Sequence, residues 1–117
     1  MAHFPTTSTR TRAPRVRIPN DERITLNLGE KRAFATLRLL SLTGGLVEFP
    51  APMEEVTLAE VVLMTISGPV KALVEFMQAP RKARPAARPF RFIAIDDNDY
   101  QRLNSTLQLM LKQGFGA

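Results

Sequence analysis

From Arg23 onward apolar and polar residues alternate. Ile24, Leu26 and Leu28 fall on one side of an extended segment, with Thr25 and Asn27 on the other, which is the pattern of a half-buried strand. Gly29-Glu30-Lys31 is a compact turn that predicts a hairpin. Arg32–Leu40 is the returning strand, with Ala33, Ala35, Leu37 and Leu39 on one face, a phase that points Leu39 into the core. Ser41-Leu42-Thr43-Gly44-Gly45 breaks the run, and Gly45–Phe49 is a short third strand stopped by Pro50 and Pro52. Met53–Glu60 reads as a polar loop or a single helical turn. Val61–Ile66 is apolar on both faces and predicts a mostly buried strand. After the turn at Ser67-Gly68-Pro69, Val70–Met77 alternates again, with Val70, Ala72, Val74 and Phe76 inward and Lys71 and Glu75 outward. Ala79–Pro89 holds too much proline for a strand interior or a helix and is a loop. Pro89–Ile95 is the sixth strand, with Phe90, Phe92 and Ala94 alternating against Arg91, Ile93 and Ile95.

The period then changes. Tyr100, Leu103, Leu107, Met110 and Leu111 recur at helical spacing and form one apolar stripe. Asp96 or Asp97 is placed to cap this helix through its carboxylate, Asp99 lies near the positive end of its dipole, and Gly114 is a C-terminal stop. Six short strands with turns at this spacing suggest an all-β, six-stranded antiparallel barrel, because closure removes exposed edges. The C-terminal helix should lay its stripe over one opening of that barrel. The first twenty residues have little apolar periodicity and contain Pro5, Pro14, Pro19 and a Thr/Ser cluster. They form a flexible basic arm, disordered unless it docks. The chain therefore divides into the arm at 1–20, the barrel and helix at 21–113, and a tail at 114–117.

Composition narrows the function classes. The chain has 117 residues, enough for one domain, and its 44% hydrophobic and 23% charged content matches an ordinary globular protein. No apolar run approaches the ~20 residues of a membrane span, and the first nine residues have no apolar segment of the signal-peptide kind. The absence of cysteine removes disulfides and thiol chemistry and fits a reducing cytoplasm. His3 is the one histidine, so acid–base and zinc chemistry are poorly supplied and no catalytic or metal-binding residue is assigned. Asp96, Asp97 and Asp99 lack the further ligands, central glycine and terminal glutamate of a calcium loop. Ser41 and Thr43 have no histidine or lysine placed to activate them. Gly44-Gly45 allows close approach of either a ligand or a neighbouring strand, and the sequence leaves both open. The net charge of +5 is unevenly spread: residues 1–20 carry +4 from Arg10, Arg12, Arg15 and Arg17, and residues 79–91 carry +5 from Arg81, Lys82, Arg84, Arg88 and Arg91, so the remainder is acidic. Such clusters either bind anions or are simply solvated.

Arginine meets phosphate bidentately, reads the O6/N7 edge of guanine and stacks on aromatic faces. An arginine arm beside a Ser-x-x-Gly turn at a strand end thus suits a guanine nucleotide. Two segments extend this. Leu39-Leu40-Ser41-Leu42-Thr43-Gly44-Gly45-Leu46 is similar to a [D/N]-x-S-x-x-G motif at the end of a second strand, with Ser41 and Gly44 at its serine and glycine positions. Phe90 to Leu103 is similar to the strand-to-helix segment that closes the same family. In order and spacing, from about Arg12 to Lys112, the chain resembles a PilZ domain, a bacterial six-stranded barrel with a C-terminal helix. The resemblance implies a non-enzymatic signalling module whose ligand is cyclic di-GMP, held by Arg12, Arg15, Arg17, Ser41 and Gly44, with no cofactor. Two departures bear on this. Leu39 stands where the motif opens with an acidic or amide residue, and no two arm arginines have the R-x-x-x-R spacing, Thr11 lying four residues before Arg15. The alternative is a degenerate PilZ-like adaptor that works through a protein partner without nucleotide. Nucleic-acid binding is a third reading, disfavoured because the chain has no Trp and one Tyr to stack on bases.

Overall fold

A computed structural model describes residues 2–3, 13–19, 22–50, 58–77 and 86–117. The elements are β1 (Ala2–His3), β2 (Val16–Arg17), β3 (Arg23–Leu28), β4 (Lys31–Leu40), β5 (Gly44–Glu48), β6 (Leu58–Thr65), β7 (Gly68–Phe76), β8 (Ala87–Asp96) and α1 (Asp97–Lys112). Strands β8, β5, β4, β3, β6 and β7 pair in that order, and β7 returns to β8, so six antiparallel strands close into a barrel. The two short strands lie outside this ring. β1 pairs with the end of β8, and β2 with the end of β4 through Val16↔Leu40 and Arg17↔Leu39.

Inward positions fill the barrel as the alternation predicts over most of its length. Ile24, Leu26, Ala35, Leu37, Val47, Val61, Leu63, Val70, Ala72, Val74 and Phe76 are buried. An aromatic run crosses the core, with ring centroids 5.6 Å apart for Phe49–Phe76, 6.2 Å for Phe76–Phe90 and 5.6 Å for Phe90–Phe92.

The alternation fails at two β-bulges. Between β4 and β5 the register passes from Leu37↔Val47 to Leu39↔Leu46, which leaves Arg38 as an extra residue. The phase slips, so Leu40 is 2% exposed and buried while Leu39 leaves the core face for the outer one. Between β7 and β8 the register passes from Leu73↔Ala94 to Val74↔Phe92, making Ile93 the extra residue, and Ile95 rather than Ala94 is buried. β6 also departs from expectation. It starts at Leu58, inside the segment read as a loop, and buries only Ala59, Val61 and Leu63, while Leu58, Met64 and the turn residue Ile66 are exposed. β8 begins two residues before Pro89 and takes up the end of the expected Ala79–Pro89 loop; residues 79–85 of that loop lie outside the described residues.

The helix lies against β7 and β8, with further contacts to β1, β2 and β6, across the end of the barrel where β6 finishes and β7 begins. Leu103 and Leu107 are buried and Tyr100, Met110 and Leu111 pack partly buried around them, so the predicted stripe is the docked face. Thr106 joins that face, its Oγ1 donating to Ser67 Oγ at 3.2 Å. Asp99 ties the first turn to β7 by accepting the Lys71 N–H at 3.3 Å, and pairs with Arg102 at 2.5 Å. Asp96 is the N-cap residue, but its carboxylate makes no capping hydrogen bond. At the other end Gly114, at φ +89°, follows the C-cap Gln113. Its N–H bonds Leu111 O at 3.2 Å and Phe115 N–H bonds Met110 O at 3.0 Å, the paired bonds of a Schellman ending. Among the described residues no helix is long and apolar enough to cross a membrane.

Because Leu107 is docked and buried, Leu107→Ala should lower the unfolding free energy by about 2–4 kcal/mol, read from urea denaturation. A loss under about 0.5 kcal/mol would mean that the helix is not held through this residue.

Candidate functional site

Ala13-Pro14-Arg15-Val16-Arg17-Ile18-Pro19 would be a free arm on composition alone, yet Val16 is fully buried opposite Leu40. This segment is bonded along both edges. On one side Ile18 N–H reaches Arg38 O at 3.0 Å. On the other, Arg17 N–H reaches Phe115 O at 2.8 Å, Ala117 N–H reaches Arg15 O at 2.9 Å, and Val16 bridges Gly116. Residues 115–117 therefore clamp β2 against β4. The barrel unit extends past the expected boundaries at residues 20 and 114, because Val16 completes the core and the tail satisfies the outer edge of β2.

With Val16 inward, Arg15 and Arg17 take the opposite side of the strand. Arg17 is paired with Leu39, Leu39 with Leu46, and Leu46 with Pro89. Directly opposed residues share a face, so these four make one row on the outer surface across β2, β4, β5 and β8. Continuing the β2–β4 register by one residue brings Arg15 level with Ser41. Neither Arg15 nor Arg17 has an ion pair or side-chain hydrogen bond with any described residue. Two guanidinium groups without a described partner thus stand beside the Ser41–Gly44 turn. Arg12 lies outside the described residues.

The turn itself is occupied with its own geometry. Ser41 is 4% exposed, and its backbone N–H bonds Gly44 O at 2.7 Å. Its hydroxyl donates to Gly44 O at 3.2 Å, accepts from the N–H groups of Thr43 and Gly44 at 3.2 and 3.3 Å, and contacts Thr43 Oγ1 at 3.1 Å. A hydroxyl with one proton and two lone pairs has nothing left for an external group. Gly44 is buried against β8, where a Cβ would lie 2.1 Å from Phe90 O, and at Gly45 a Cβ would lie 2.2 Å from Leu39 O. The close approach that these glycines permit is strand to strand. Thr43 is half-buried, and its Oγ1 lies against the Ser41 hydroxyl.

The second basic stretch divides. Arg88 is buried on the same face as Phe90 and Phe92, its Nε donating to Met77 O at 2.8 Å. Arg91 faces outward but is paired with Glu75 on β7 at 2.6 Å. Arg81, Lys82 and Arg84 lie outside the described residues. Of the described cations in the two basic stretches, Arg15 and Arg17 are thus the pair without a described partner. Sequence reasoning missed the tail that holds it; Phe115, an apolar residue just beyond a helix-stopping glycine, is the one local sign of it. It also missed Leu46 and Pro89, which become neighbours of Leu39 only through the bulged register. No group of three or more metal-ligating side chains occurs among the described residues.

The geometry defines a closed antiparallel barrel capped by one helix, with an arginine-bearing strand clamped beside a tight turn. No protein-family model matches the chain, and no curated protein is found to be similar to it.

Since Leu39 is on the outer face, Leu39→Asn should change stability by no more than about 0.5 kcal/mol. Gly44→Ala should cost about 3 kcal/mol or more, because the new methyl group meets backbone rather than a movable side chain. Thermal melts of the two variants check both; a large loss for Leu39→Asn would put that side chain back in the core.

Proposed function

We propose that this chain is a non-enzymatic signalling module of the PilZ type that binds cyclic di-GMP on the outer face of β2, β4 and β5 in a bacterial cytoplasm. The observation that carries this reading is the pair Arg15 and Arg17, free of any described partner, on a strand whose register sets them beside Leu39 and Ser41. Guanidinium forks are suited to the two phosphates of such a ligand, and the flat row of Leu39, Leu46 and Pro89 provides an apolar surface against which a purine can lie. Ser41 and Gly44 act in this reading by shaping the turn.

A second reading is a PilZ-like adaptor that engages a protein partner without nucleotide. It is favoured by one specific feature, that Leu39 provides no acceptor for a guanine edge while extending an apolar row across three strands.

Calorimetric titration with cyclic di-GMP separates the two. On the receptor reading, binding is saturable and Arg15→Ala weakens it roughly ten- to hundredfold, the loss of one charge-assisted hydrogen bond of about 1.5–3 kcal/mol. Leu39→Asn then strengthens it by about 1–2 kcal/mol. If neither the wild type nor Leu39→Asn binds, the adaptor reading stands. Steep weakening with added salt, together with equal competition by unrelated oligonucleotides, would instead mark binding to nucleic acid.

A further inference from the structure

The helix does not fill the barrel end that it covers. A cavity of about 270 Å³ remains between its C-terminal half, the Ile18–Pro19 segment that follows β2, and the barrel interior. Its inner wall is aliphatic and aromatic: Ile24, Leu37, Leu40 and Leu63 from the core, with Met110 and Phe115 from the helix end. The polar side chains of the lining are Glu22, Arg23, Thr65, Thr106 and Gln113, and both threonines are already engaged. Thr65 Oγ1 donates to Gly68 O at 2.6 Å and accepts Ser67 N–H at 3.2 Å, while Thr106 Oγ1 bonds Ser67 Oγ. Both hydroxyl protons are spent and the other polar side chains of the lining, Glu22, Arg23 and Gln113, are exposed at its open side, so the mainly aliphatic inner wall favours an apolar occupant.

The route inward is apolar as well. Met64, Ile66 and Leu109 line the mouth and are 66%, 74% and 38% exposed, a large amount of hydrophobic surface to leave in water beside a cavity. Glu22 and Arg23, also at the mouth, have opposite charges that cancel, which leaves little attraction for a charged head group. Size completes the specification. An apolar cavity of about 150 Å³ accepts benzene, or roughly 25 Å³ per carbon. On that allowance this one holds about ten carbons.

We infer that the cavity beneath α1 is a binding site for an uncharged medium-chain aliphatic molecule, its chain inserted between Leu40, Leu63, Met110 and Phe115. This site is separate from the arginine face and does not depend on what that face binds.

The test is a titration of the whole protein with n-alkanols from hexanol to tetradecanol, followed by calorimetry and by displacement of the neutral fluorophore 1-aminoanthracene. Affinity should rise about three- to fourfold per methylene up to decanol and then level off, with one alcohol bound per chain. Decanoate should bind at least tenfold more weakly than decanol. Met110→Trp, which fills the cavity from the helix side, should remove decanol binding. Met64→Glu, at an exposed position where folding is little affected, should weaken it by placing a charge at the entrance. Absence of saturable decanol binding would overturn the assignment. So would affinity that climbs without limit with chain length, decanoate binding as tightly as decanol, or folded variants that bind as the wild type does.

Discussion

Closure of the barrel depends on β5 approaching β8 so closely at Gly44 that no side chain fits between the backbones, while Gly45 is held as tightly against Leu39 of β4. A Cβ at Gly44 would stand 2.1 Å from Phe90 O, far inside van der Waals contact. What delivers Gly44 to that spot is the Ser41 hydroxyl, which gathers the N–H groups of Thr43 and Gly44 and the carbonyl of Gly44 into one turn. The approach lets β8 take its place between β5 and β7, with Phe90 and Phe92 in the core and Arg91 outside, paired with Glu75. A Ser-x-x-Gly sequence at a strand end is therefore explained by closure before any ligand is considered. Its presence alone cannot carry a binding function; the adjacent arginines have to.

The parts of this architecture that were legible in the sequence are those set by local period. Six strands and a helix follow from alternation and from the Leu103–Leu107–Leu111 stripe, because a half-buried strand or helix repeats its burial every two or 3.6 residues. The bulges at Arg38 and Ile93 were not legible. A bulge is a relation between two strands, and a single strand with an extra residue looks like an uninterrupted strand until its partner's register is known. The consequence at Leu39 is large, since a one-residue slip moves a side chain from the core to the surface. β6 shows the reverse error. Apolar residues on both of its faces suggested burial on both, whereas Met64 and Ile66 face outward at a cavity mouth that only the tertiary structure creates.

Legibility of the candidate site follows the same division. The Arg-Val-Arg segment at residues 15–17 alternates with period two, but three residues are too few to set against the prolines and threonines around them. Its pairing with β4 and with residues 115–117 joins positions far apart in the chain, and no local propensity encodes that. Charge was misleading in a similar way. Arg88 belongs by sequence to a basic loop, yet it keeps the inward phase of Phe90 and Phe92 and gives its Nε to Met77 O just past the end of β7. Counting cations located two basic stretches; among the described residues, burial and pairing separated Arg15 and Arg17 from Arg88 and Arg91.

The clamp on β2 changes the energetics of anything that binds there. A free arm would have to be ordered by its ligand, at roughly 1–2 kcal/mol of backbone entropy for each residue fixed. For Arg15, Val16 and Arg17 this cost is already met in folding, by burial of Val16 and by hydrogen bonds to Phe115 and Ala117. The saving is of the same order as the loss from replacing a hydrogen-bonding residue by Leu39, about 1.5–3 kcal/mol for a charge-assisted bond. A pre-ordered arginine strand can thus offset a missing side-chain acceptor, and the departure at Leu39 does not by itself remove the anion-binding capacity of this face. The same clamp joins the two surfaces of interest, because Phe115 accepts from Arg17 with its carbonyl and lines the apolar cavity with its ring. Coupling between them requires a second arrangement of that segment. In the arrangement present residues 115–117 hold β2 in place, and Ile18 and Pro19, which continue it, line the cavity, so one segment runs from the arginine face to the apolar site.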